Sequence, residues 1–197
     1  MTQLAREDLM SLEEYAQRRD EMRKQVMEEK KARRIQVGPH VMLHFENKLI
    51  MQYQIQEMLR AEKIFEADGI QEELDAYNPL IPDGSNWKVT MMIEFPDPEV
   101  RAVELTKLIG IEDKTWVQVD GFEKVYAISN EDLVERTTEE KTSSVHFMRF
   151  ELTDEMVSAA KSGAAIRVGI DHENYQHQIE LNGASRESLL ADLAAGK

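Results

Sequence analysis

The stretch from His40 to Pro82, HVMLHFENKLIMQYQIQEMLRAEKIFEADGIQEELDAYNPLIP, switches its apolar period part-way and puts carboxylates where water should be scarce. From His40 to Glu46, alternate side chains turn to opposite faces of a strand. Val41, Leu43 and Phe45 fall on one side and His40, Met42, His44 and Glu46 on the other. Ile35 and Val37 extend the apolar side backwards. On a strand His40 and His44 stand roughly 13 Å apart, so they cannot share a metal ion as they would on a helix. Both read as surface or half-buried histidines.

Asn47 and Lys48 turn the chain, and from about Ile50 to Glu66 the period becomes helical. Advancing by about 100° per residue places Met51, Ile55, Met58, Leu59 and Phe65 on one stripe, with Glu62 in its middle. Glu57 falls on the opposite flank with Tyr53, Ala61 and Ile64, leaving Gln52, Gln56, Arg60 and Lys63 as a narrow wet strip. A second helix follows Ala67-Asp68-Gly69, with Asp68 as its expected cap; Ile70, Leu74, Tyr77 and Ile81 share its apolar face and Glu73 its border. Asn78-Pro79 ends it, because the residue before proline avoids helical angles. The helical hairpin therefore carries Glu57, Glu62 and Glu73 inward or sideways. A bare buried charge is costly, so each needs a hydrogen bond, an ion pair, a proton or a metal. Arg33, Arg34, Arg60 or tyrosine hydroxyls would satisfy the first two; a ligand or metal site is the sharper reading.

The remaining pattern alternates helices and strands. Ser11 and Glu14 have capping-box spacing, and Leu12, Tyr15, Met22 and Val26 form the stripe of a long first helix over residues 11–34. Its basic end, Lys30, Lys31, Arg33 and Arg34, complements the helix dipole. A phosphate or nucleic-acid patch is the alternative there, disfavoured by 24 basic against 38 acidic residues and a net charge of -14. Trp87 to Phe95 alternates as an amphipathic strand, and a helix runs from Asp97-Pro98 to Gly110. Asp120-Gly121 is a two-residue hairpin signal between strands 116–119 and 122–128, with a bulge in one long strand as the alternative. Residues 129–141 read as an exposed polar loop. Ser143 to Phe150 is apolar on both faces, as a central strand would be, and His146 on it is expected to be a hydrogen-bonded core histidine. Thr153 caps a short helix, Ile166 to Ile170 forms a strand, and a last helix lies around Leu189 to Leu193. The expected architecture is α+β: a mixed, mostly antiparallel sheet of about five or six strands packed by helices, in one domain over residues 1–197. Within it the strand and helical hairpin take 40–82 and a sheet-rich part takes 87–197.

Several chemistries lack their signatures. There is no cysteine, hence no disulfide, no thiolate metal site and no protein-supplied ligand for an iron-sulfur cluster. The amino terminus lacks the apolar core of a signal peptide and no run approaches a membrane span, which makes the cytoplasm the expected compartment and a membrane partner unexpected. No phosphate-binding loop, dinucleotide fingerprint or nucleophile elbow occurs. His172 and His177 in DHENYQH are five apart, which places them about 140° round a helix rather than on one face. In a loop they could converge, with Tyr175 as an acid/base or hydrogen-bonding partner.

The runs QIQEMLRAE at Gln54 to Glu62, IQEEL at Ile70 to Leu74 and YNPLIP at Tyr77 to Pro82 resemble an uncharacterised bacterial family known only as a domain of unknown function. The likeness extends from L-x-R-E-D-L at Leu4 to Leu9, through SSVHFMRF at Ser143 to Phe150, to DHENYQH at Asp171 to His177. The resemblance implies a cytoplasmic protein encoded near rubrerythrin-like and iron-sulfur oxidoreductase genes; it assigns no catalytic residue.

Three functional readings follow. The first is an accessory or binding module whose surface meets a redox protein. The second is a metal-dependent oxidoreductase or hydrolase in which Glu57, Glu62 and Glu73 converge with His172 or His177, although the paired E-x-x-H helices of di-iron bundles are missing. The third is a small-molecule binder using Arg60, Tyr77 and Tyr175 in a pocket between hairpin and sheet. Whether the chain is an enzyme, binds a metal or forms a homo-oligomer is left open by the sequence.

Overall fold

The computed structural model describes residues 3–129, 137–138 and 140–194. The fold is α+β, as the alternating periods require, with two antiparallel sheets where one was expected. The first has strand order β1-β2-β3-β7-β6, from β1 (Arg34–Val37), β2 (Val41–Phe45), β3 (Asn86–Ile93), β7 (Val145–Glu151) and β6 (Ile128–Ser129). The second is β5-β4-β8-β9, from β5 (Val125–Tyr126), β4 (Thr115–Val119), β8 (Ile166–His172) and β9 (Tyr175–Glu180). One segment serves both: β5 pairs with β4, and two residues later β6 pairs with β7, so the chain crosses between sheets at Ala127. A period-2 pattern specifies which side chains face inward but not which sheet a strand joins. Asp120-Gly121 starts a longer connection than a two-residue hairpin, because Val117 pairs with Val125.

The sheets enclose one core, in which Val41, Leu43, Trp87 and Met91 meet Val117, Ile166, Val168 and Ile170. At their far edges they are joined by Tyr175, whose hydroxyl donates to the Val37 carbonyl at 2.6 Å and accepts from the backbone N–H of His40 at 3.0 Å and Val41 at 3.1 Å. Gly38, at φ +72°, permits this approach: a Cβ there would lie 2.5 Å from the Tyr175 hydroxyl. Gly169 does the same inside the second sheet, where a Cβ would strike the Trp116 ring at 2.3 Å. DHENYQH is not a loop but a tight β-hairpin, with Glu173-Asn174 as its turn and His172 paired with Tyr175.

A second core lies among α1 (Leu12–Arg33), α2 (Lys48–Glu62) and α3 (Ala67–Tyr77), where Tyr15, Met22 and Val26 pack against Ile50, Ile55, Leu59 and Leu74. Ser11 caps α1 as its spacing predicts, accepting from the Glu14 N–H. Gln56, expected on the wet strip, is buried because it exchanges hydrogen bonds with the backbone of Met10, tying the amino-terminal segment down. α2 stops at Glu62, with Lys63 left-handed at φ 56°. The stripe extrapolated past that point is therefore lost: Glu62 is exposed and Phe65 is 72% exposed. The N-cap position of α3 is Glu66, which makes no side-chain capping bond, and Asp68 falls in the first turn.

The shorter helices start where their caps predict. Asp97 caps α4 (Pro98–Lys107), and Thr153 caps α5 (Asp154–Lys161). α6 (Gly183–Ala191) packs near α1. His146 is buried and bonded to Thr142 and the Ser143 carbonyl, the core role expected of it. Most of the acidic loop expected over 129–141 lies outside the described residues. Among the described residues no helix is long and apolar enough to cross a membrane.

Candidate functional site

The acidic residues of the hairpin and the histidines of the C-terminal segment occupy separate places. Glu57 faces α1, where Arg19 Nε and Nη2 donate to its two oxygens at 2.7 and 2.9 Å and the Tyr15 hydroxyl donates at 2.6 Å. The Arg19 guanidinium, helped by Tyr15, pulls the Glu57 carboxyl down to about 2. Its carboxylate is thus fully used. Glu62 is exposed and Arg60 beside it is exposed as well. Half-buried Glu73 is pushed upward by burial and by the neighbouring carboxylates Glu62 and Glu72. Tyr77 packs against the helical core.

His172, Tyr175 and His177 belong instead to the β8–β9 hairpin. His172 is buried, with Nε2 against the Ile109 carbonyl at 3.0 Å and Nδ1 accepting from the Asn174 N–H at 3.2 Å. His177 is exposed and lies edge-on to the Tyr175 ring. Among the described residues no three of His, Asp and Glu are grouped to hold a metal ion.

Another group converges on open space, and it grows from the end of α1. Arg33 is 18 residues, or about five helical turns, beyond Tyr15, so it continues the buried stripe of Tyr15, Met22 and Val26. Its five N–H groups are all taken: by the carbonyls of Phe45 and Glu46, by the carbonyl and hydroxyl of Ser188, and by the Asp192 carboxylate. Arg34, the next residue, begins β1 and must point the other way. It pairs in register with His44 on β2, which in turn pairs with Thr90 on β3. Lys30 lies one helical turn before Arg34.

These residues, with Glu46 and Met92, line a cleft of roughly 250 Å³ on the outer face of the five-stranded sheet. Four of its polar side chains keep unused bonding capacity. Neither Lys30 nor Arg34 has an ion-pair partner among the described residues, whereas Lys31 is engaged by Glu28 at 2.6 Å. His44 Nε2 is buried with no hydrogen-bond partner. Burial, and then the charges of Arg34 and Lys30, bring the His44 ring down to about 4, so it is neutral at physiological pH. Glu46 accepts one bond, from the Thr90 hydroxyl at 2.8 Å, and burial holds its carboxyl above the usual range. The cleft therefore offers two cations, an uncommitted imidazole nitrogen and a half-used carboxyl group.

Sequence reading placed Lys30 and Arg34 at a helix end and His44 and Glu46 on a polar strand face, without joining them. The available signal was the helical phase of Arg33: once it turns inward, its neighbour Arg34 is committed to the opposite side.

A family model described as "Protein of unknown function (DUF3501)" matches residues 3–193. A crystal structure described as a novel protein of unknown function from Burkholderia pseudomallei K96243 is 47% identical, with a TM-score of 0.90, over 98% of this chain and 100% of that one. Among curated proteins none matches the chain.

Proposed function

The chain belongs to the DUF3501 family of proteins of unknown function, and from that premise we propose that it is an accessory binding protein whose basic cleft takes a small anion. The observation that carries this reading is the partnerless, buried His44 Nε2 between Lys30 and Arg34. A buried polar atom without a partner costs free energy, and two adjacent cations, neither in a close ion pair among the described residues, add to it. An anion supplying hydrogen-bonding oxygens relieves both at once. The net charge of -14 makes this local basic pocket stand out, because anions are repelled from most of the surface. The accessory role, in the cytoplasm beside redox proteins, rests on the family resemblance.

Calorimetric titration of the whole protein with phosphate, sulfate, acetate and succinate tests the anion reading. Binding of at least one of them that is lost in Lys30→Ala, Arg34→Ala is the expected result. Heats indistinguishable from dilution for all four would remove it.

A further inference from the structure

We infer that the cleft selects monohydrogen phosphate, an anion that still carries an acidic hydroxyl, over a fully ionised anion such as sulfate or a phosphate monoester dianion. This rests on the anion reading above and specifies its ligand chemistry. Lys30 and Arg34 supply charge, and the planar guanidinium suits two oxygens of a tetrahedral anion. Charge alone does not distinguish phosphate from sulfate.

Glu46 does. Its Oε1 receives the Thr90 hydroxyl, and its second oxygen has no hydrogen bond among the described residues while its side chain lines the cleft. In its ionised form this carboxylate only accepts hydrogen bonds, so it then faces a sulfate oxygen as lone pair against lone pair. A P–OH group instead donates to it. His44 strengthens the preference, since its neutral ring can meet a phosphate through either tautomer: the anion offers acceptor oxygens to an Nε2–H and a hydroxyl to a bare Nε2. Met92 and Ile50 add apolar lining, and a cleft of roughly 250 Å³ suits a small anion.

The test is titration at mildly alkaline pH, where monohydrogen phosphate keeps its last proton and the methyl phosphate dianion has none. Inorganic phosphate and methyl phosphate are compared with sulfate and succinate, on the wild type and on Glu46→Gln, with circular dichroism showing that the variant is folded. The expected result is that inorganic phosphate binds about tenfold or more tighter than sulfate, and that Glu46→Gln, whose amide can donate, brings the two within about threefold. Methyl phosphate, a dianion without a hydroxyl at this pH, is expected to bind no tighter than sulfate; a methyl ester that matches inorganic phosphate overturns the role given to the hydroxyl. Equal affinity for phosphate and sulfate in the wild type overturns the inference while the anion reading survives, as does a preference for succinate. A phosphate preference that persists in Glu46→Gln overturns the role given to Glu46. Absence of binding by all four anions overturns both.

Discussion

Glu57 and Glu46 are carboxylates that both feel cations of α1, Arg19 in one case and Lys30 and Arg33 in the other, yet they end in opposite states. Glu57 receives three hydrogen bonds, two of them from Arg19, and is held strongly ionised. Glu46 receives one, from a neutral hydroxyl, and burial pushes its carboxyl upward. The same split divides adjacent arginines: Arg33 has every donor engaged, while Arg34 has no ion-pair partner among the described residues. A polar group whose bonding capacity is used up holds the fold together, whereas one left short beside open space is available to a ligand. The difference lies in neighbours, not in residue type.

The largest effect is expected at the saturated end. Arg33→Ala would leave Asp192 and the carbonyls of Phe45, Glu46 and Ser188 without their donor, costing about 3–5 kcal/mol by analogy with other broken buried ion pairs. Urea denaturation measures it, and a loss below about 1 kcal/mol would break the comparison, because Arg33 would then be no more committed than Arg34. Tyr175→Phe comes next. It removes an acceptor from His40 and Val41 and a donor from Val37 at the join between the sheets, an expected loss of about 1–3 kcal/mol, with faster amide exchange at Val41 as a second readout.

The smallest effects are two acid titrations that separate the regions by pH. Glu57 has a folded value of about 2, below the ordinary carboxyl value of about 4.3. Its contribution is therefore complete above the unfolded value and is lost as pH falls through the folded one. Glu57→Gln should flatten stability in that strongly acid window. The His44 ring is also depressed, to about 4 against an ordinary value of about 6.5. The unfolded state then takes the proton first, so stability falls between about pH 6.5 and 4, and His44→Gln should flatten that higher window alone. If both variants changed the same window, the contrast between a clamped carboxylate and an unpartnered imidazole would collapse.

Much of the fold can be read directly. The alternation of Val41, Leu43 and Phe45, of Trp87 to Ile93 and of Ile166 to Ile170 places all three runs in the core between the sheets. Caps at Ser11, Asp97 and Thr153 begin their helices where expected. Helical phase misplaces Glu62 and Phe65 because it runs past a helix end that the left-handed Lys63 enforces, and that stop has no glycine to announce it. Gln56 was misplaced because its partner is the backbone of Met10, far away in the chain. Of the candidate polar residues, Glu62 and Glu73, on α2 and α3, do come near one another, whereas His172, Tyr175 and His177 stand on the second sheet, where hairpin pairing fixes them.

The sequence by itself determined the strands and helices, their apolar faces, the caps, the lack of thiol chemistry and the acidic background. These depend on period and composition, which are local or summed properties of the chain. Only the tertiary structure decided which polar groups are saturated. That outcome depends on partners distant in the chain: Arg19 for Glu57, Asp192 for Arg33, Val37 for Tyr175, and Thr90 as the single bond to Glu46. Hydrogen bonds act over a few ångströms of space whatever the separation in sequence, so the cleft between α1 and the sheet exists only once those distances have closed.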